Sequence, residues 1–200
     1  MSKMWPIVFL IFCVALSSYG IAESEKEKKV EKVEKQGKKE IEIGEVLTGS
    51  VTQLRRTMLP LAIAMPEDKY GFAPTNGEFK GVRTFAQQLK HIGATNYSFA
   101  ATILGEKPPA EVGEDEDGPA SVKTKDEIIK YVTESFAYVL KAVDSIDQKN
   151  VVSPIKSPFG QGDTTRLAMA TLIVGHCYDH YGQMVEYLRW NGIVPPASQR

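Results

Sequence analysis

Four stretches of this chain carry apolar residues three and four positions apart, and no other feature limits its fold as strongly. A helix turns once in about 3.6 residues, so such a row lies along one face and has to be buried. The first stretch runs from Ile43 to Met65, with Leu47, Val51, Leu54, Met58, Leu61 and Met65 in the row and Pro60 placed to kink the last turn. The second runs from Thr84 to Leu104. The third runs from Lys125 to Asp147, with Ile128, Val132, Phe136, Val139 and Val143 facing inward. The fourth starts at Asp163 or Thr164, either of which can cap the free amides of a first turn, and reaches Trp190. Asn191-Gly192 then supplies a left-handed ending, and Pro195-Pro196 blocks continuation. Four amphipathic helices without a convincing strand imply an all-α, antiparallel four-helix bundle.

The segments between the helices are rich in turn residues. Residues 105–119 are acidic, with Glu114, Asp115, Glu116 and Asp117 in a row. They lack the alternating ligand positions of a calcium-binding loop and read as solvated surface. Residues 150–162 read as another loop.

Ahead of the helices, Lys3 precedes an apolar run over residues 7–16, too short to span a bilayer as a stable helix. Gly20 and Ala22 stand at −3 and −1 of a cleavage site. Residues 1–22 are expected to be a cleavable signal peptide, making the protein secreted or periplasmic. The alternative is a membrane anchor formed by the uncleaved segment. Residues 23–43 are a Lys/Glu-rich linker too poor in apolar side chains to fold alone. The folded domain is expected over residues 44–197. Cleavage would leave Cys177 as its only cysteine, so its stability has to come from an apolar core rather than from an internal disulfide. A net charge of −1 offers no basic face for nucleic acid.

The chain has three histidines: His91, His176 and His180. His176 and His180 are four apart, which stacks their imidazoles on one helical face. His91 lies in the second helical stretch, on a polar stripe of Thr84, Gln87, Gln88, Thr95 and Ser98. Two ligands from one helix and one from a facing helix would make a three-histidine site with one coordination position open, the layout of catalytic zinc. The same polar groups would serve equally as a solvated face. Cys177 and Asp179 are rotated off the shared histidine face by about 100° each. Cys177 suits a small buried residue, and Asp179 an orienting or surface carboxylate. The metalloprotease pattern His-Glu-x-x-His is absent, because Cys177 stands where its general base would be. No catalytic base is identified, since Gln87, Gln88 and Gln183 cannot serve.

Residues 79–100, containing Lys-His91-Ile-Gly-Ala-Thr-Asn, and residues 175–196, containing His176-x3-His180-Tyr-Gly-Gln followed by Tyr-Leu-Arg and Gly-Ile-Val-Pro-Pro, resemble the DinB-like superfamily. The resemblance implies a four-helix bundle with a divalent metal held by His91, His176 and His180. Relatives include thiol-dependent transferases and isomerases, and they are often homodimers. The departure here is the signal peptide. The resulting expectation is an exported, metal-dependent enzyme of hydrolase or thiol-transferase type acting on an unidentified small molecule. The alternative is a non-catalytic metal-binding or ligand-binding bundle. Zinc or nickel is the expected ion, although imidazole also suits copper and iron.

Overall fold

The computed structural model describes residues 40–160 and 162–199. The expected signal peptide and residues 23–39 of the expected linker lie outside the described residues. The helices are α1 (Ile43–Ala64), α2 (Phe85–Leu104), α3 (Lys125–Asp144) and α4 (Arg166–Trp190). Single 3-10 turns occur at Glu67–Lys69, Glu114–Glu116 and Pro196–Ser198.

The apolar rows go where their spacing sends them. Ile128, Val132, Phe136, Val139 and Val143 of α3 are all buried, as are Val51, Leu54, Met58, Leu61 and the adjoining Met65 of α1, while Leu47 is half-buried. Both α2 and α3 begin with a capping box. Gln87 N donates to Thr84 Oγ1 while Thr84 N donates to Gln87 Oε1, and Thr124 and Glu127 repeat the exchange. The end of α1 is closed from another element. Lys125 Nζ donates to the carbonyls of Ile63 and Met65, both at 2.8 Å, giving these terminal acceptors a cationic partner.

Some boundaries differ from the sequence reading. The cap of α4 is Thr165, whose hydroxyl accepts from Ala168 N at 3.1 Å, rather than Asp163 or Thr164. Those two residues belong instead to a small hairpin. β1 (Pro154–Lys156) pairs antiparallel with β2 (Asp163–Thr165), with Pro154 opposite Thr165 and Lys156 opposite Asp163. Residues 150–162 are therefore more than a loop. Strands of three residues are too short for a two-residue period to register in sequence. Of the pair expected to end α4, only Gly192 is left-handed, at φ 71.

Helix directions follow from the contacts. Gly44, at the start of α1, lies against the Ile146 carbonyl beyond the end of α3, and Lys125 at the start of α3 reaches the end of α1. This pair is antiparallel. So are α2 and α4, because Gln88 meets His180 and Gln183 while Asn96 meets Cys177. Contacts between α2 and α3 advance together instead: Gly93 lies on Tyr131 and Asn96 donates to Ser135. These two helices run parallel, and so do α1 and α4. Each of α1 and α2 packs on both α3 and α4. The bundle is thus antiparallel across two of its faces and parallel across the other two. The parallel α2–α3 pair requires the chain to travel back along the bundle. Residues 105–124 do this over the roughly 30 Å that twenty helical residues rise.

Gly93 sets the closeness of α2 and α3. A Cβ there would lie 2.5 Å from Tyr131 Cε1, and the Tyr131 hydroxyl is tied to the Glu111 carbonyl at 2.8 Å. Gly93→Ala should therefore destabilise the protein by about 1–3 kcal/mol through overpacking. Gly49, on the exposed side of α1 with nothing within 4 Å, should respond oppositely. Gly49→Ala should stabilise by roughly 0.5–1 kcal/mol through helix propensity. Denaturant melts that moved both variants in the same direction would refute the close approach.

Candidate metal centre

His91 projects from α2, and His176 and His180 project one turn apart from α4. The antiparallel pairing of these helices brings all three rings together. His176 Nε2 lies 3.2 Å from His91 Nε2 and 3.0 Å from His180 Nε2. The atoms that these three residues could offer a metal fall within 4.8 Å of one another. His180 is buried, and His91 and His176 are half-buried.

The opposite nitrogen of each ring faces an acceptor. His91 Nδ1 lies 2.9 Å from the Glu116 carbonyl, which can only accept. His180 Nδ1 faces Gln88 Oε1. His176 Nδ1 lies 3.4 Å from Thr95 Oγ1, whose own proton goes to the His91 carbonyl at 2.9 Å. A neutral imidazole carries one N–H and one lone pair. With the proton on Nδ1 in each ring, all three Nε2 lone pairs turn toward one point. Neutral rings so placed repel through their lone pairs, and protonated rings through their charges. An ion with bonds of about 2.0–2.1 Å to each nitrogen resolves both problems and sets neighbouring ligands roughly 3 Å apart. The donor set and its spacing fit a divalent metal.

The acidic loop corrects the sequence reading. It is not simply solvated surface. On its return along the bundle it passes α2, and Glu116 turns its carbonyl onto His91. Asp115 and Glu116 both take positive φ, at 50° and 57°, which is uncommon for side-chain-bearing residues. Asp117 anchors the turn, its Oδ1 accepting from Arg83 Nε and Nη2 at 3.0 Å each. Sequence reasoning missed Glu116 because a peptide carbonyl leaves no mark in residue type. The one available signal was a Gly113-to-Gly118 bracket around four acids.

Other residues of the sequence analysis find plainer places. Cys177 is fully buried and donates to Asn96 Oδ1 at 3.3 Å, and burial pushes its thiol up to about 12. It is neither a ligand nor a ready nucleophile. Asp179 accepts from Gln183 Nε2 at 3.0 Å and touches no histidine nitrogen. Thr84 and Gln87 are engaged in the α2 cap. A cavity of about 500 Å³ opens beside His180, lined in part by Arg83, Gln87, Gln88, Asp117 and Gln183.

Burial holds His91 below the ordinary histidine range, against the opposing pull of the Glu116 carbonyl. Burial first, and neighbouring imidazole second, lower His176 and His180 to about 4. In the unfolded chain these rings take up protons near pH 6.5, whereas the metal-free folded protein resists until about pH 4. Their contribution to stability is present above pH 6.5 and lost as pH falls through that window. Metal-free protein should therefore show a falling Tm between pH 7 and 4, and the His176→Gln, His180→Gln double variant a shallower fall. Equal slopes in calorimetry would remove these rings as the cause.

The DinB superfamily model matches residues 50–184 of the chain. Among solved structures, the chain is similar to a DinB-like protein from Bacillus subtilis, with a TM-score of 0.55 at 17% identity, covering 77% of this chain and 99% of that one. It is also similar to a DinB-like protein from Bacillus cereus ATCC 10987, with a TM-score of 0.58 at 16% identity, covering 75% and 93%. At these identities the likeness speaks to fold alone. A search of curated proteins finds no match.

Proposed function

The chain belongs to the DinB superfamily, and on that premise we propose that it is an exported, metal-dependent enzyme holding one divalent ion between His91, His176 and His180. The observation that carries this reading is the convergence of three Nε2 atoms from rings whose Nδ1 atoms all face acceptors. Three neutral nitrogen donors suit zinc or nickel. A divalent ion so held keeps its full positive charge, and the chemistry it supplies is a lowered pKa for bound water or a bound thiol.

The chain's own residues do the rest. Glu116, Thr95 and Gln88 orient the rings. The Phe99 ring packs edge-on to His176, with ring centroids 5.9 Å apart. The cavity beside His180 has room for a small-molecule substrate. Arg83 lines it as a cation that can receive an anionic substrate group in exchange for part of its bond to Asp117. Export rests on residues 1–22 and places the reaction outside the cytoplasm.

A second reading has an observation in its favour. The groups hydrogen-bonded to the three rings are a peptide carbonyl, a hydroxyl and an amide, none of which is a strong base. On this reading the ion mainly ties α2 to α4 and stabilises the fold by mass action.

Protein purified without a histidine tag should contain close to one divalent ion per chain by elemental analysis. His91→Ala, His176→Ala and His180→Ala should each weaken metal binding by roughly tenfold or more, because two ligands are too few. Cys177→Ser should leave metal content nearly unchanged. Protein that is metal-free and takes up neither zinc nor nickel would sink the site. A metal-loaded protein whose Tm drops on chelation, yet which turns over no ester, amide or thiol substrate, would favour the second reading. Separately, the mature chain should begin near Glu23 outside the cytoplasm, and N-terminal sequencing of soluble cytosolic protein with Met1 intact would refute export.

A further inference from the structure

The hydrogen-bonded chain behind His180 has a direction, and the geometry points to Asp179 as the residue that sets it. Asp179 is a positioning residue that acts through Gln183 and Gln88. It holds the His180 proton on Nδ1 and leaves the Nε2 lone pair free for an ion. The inference rests on the three-histidine reading and deepens it.

Four groups stand in series. Gln183 Nε2 donates to Asp179 Oδ2 at 3.0 Å. Gln88 Nε2 donates to Gln183 Oε1 at 2.9 Å. His180 Nδ1 then donates to Gln88 Oε1. A primary amide presents a donor at one end and an acceptor at the other. Turning both amides over together would give an equally complete set of bonds between them. Gln88 would then donate to His180 Nδ1, and the ring proton would move to Nε2, pointing at His176. The two glutamines cannot choose between these arrangements. A carboxylate can, because it accepts and does not donate. With Asp179 at the outer end, Gln183 must offer its amine outward, and each group behind it follows.

Burial makes the choice matter. Gln88 is 2% exposed, so water cannot repair a reversed bond there. His180 is also the ring that needs such a device. The partner of His91 is a peptide carbonyl, which cannot reverse. The partner of His176 is a threonine oxygen whose proton is already taken by a helix carbonyl. Only the partner of His180 is an amide that can turn over. Asp179 itself lies at the exposed end of the series.

The test uses the full chain without a histidine tag. Nitrogen-15 NMR of the metal-free protein reads the His180 tautomer, and zinc titration against a chelating dye reads affinity. Wild type should hold His180 as the Nδ1–H form. Asp179→Lys places a donor at the outer end and should switch it to the Nε2–H form, with zinc affinity falling about tenfold to hundredfold. In a Gln183→Leu background the tautomer switch from Asp179→Lys should vanish. Its effect on zinc should shrink to what a screened surface charge exerts through solvent. If Asp179→Lys does not fold, Asp179→Asn takes its place and should populate both tautomers. An unchanged tautomer in the Asp179 variants, or a full zinc loss that persists with Gln183→Leu, overturns the relay. A wild type that binds no zinc while its tautomer still responds to Asp179 keeps the relay and removes the metal reading instead.

Discussion

Polar side chains buried between α2 and α4 must find partners there, and the centre of this structure follows from that requirement. Gln88, Thr95, Asn96 and His180 are all nearly inaccessible to solvent. Left unpaired, each would cost about 1–3 kcal/mol. Each of them has at least two partners. Asn96 joins Cys177 to Ser135, Thr95 joins its own helix to His176, and Gln88 joins His180 to Gln183. Slipping the two helices past each other would orphan several of these groups at once. The same bonds that fix helix register therefore fix where three imidazoles meet.

The helix directions add a second condition. Because α2 and α3 run parallel, the chain has to return along the bundle between them. That return carries the 114–118 turn past α2 and brings the Glu116 carbonyl to His91. A simple up-and-down bundle would join neighbouring helices by short loops and leave this ring nitrogen to solvent. Gly93 allows the close α2–α3 contact, and the Tyr131 hydroxyl ties the same pair to the returning loop through Glu111. A loop that looks like solvated acid in the sequence thus becomes one wall of the centre.

These arrangements bear on function through a shared feature. Each ring's outer nitrogen meets an acceptor of a different kind: a peptide carbonyl, a hydroxyl and an amide. These partners differ in how easily they can reverse, so the three rings differ in what fixes their proton positions. A metal site assembled this way would be strongest where its orienting groups are rigid. It would be most open to adjustment at His180, where the orienting group connects to the surface and to the cavity lined by Arg83 and Asp117.

Much of this was legible in the sequence. The apolar rows of α1 and α3 named their core residues, because burial of a periodic face is a local property of helix geometry. The spacing of His176 and His180, with His91 on a second helix, pointed for the same reason to the three side chains that the fold brings together. Cys177 was readable as buried from its angle to that face. Local periodicity does not encode how helices are ordered around the bundle, so the parallel α2–α3 pair, and with it the role of the acidic loop, came only from the tertiary structure. The hairpin of Pro154–Lys156 with Asp163–Thr165 was likewise too short to announce itself. The partners of the three rings were hidden most completely. Glu116 acts through its backbone, Thr95 through a proton already committed to its own helix, and Gln88 through an amide whose direction is set two residues of contact away. Residue type and spacing determined which groups could meet, but only packing decided which atom of each faces the centre, because a hydrogen bond's direction depends on every neighbour in its chain.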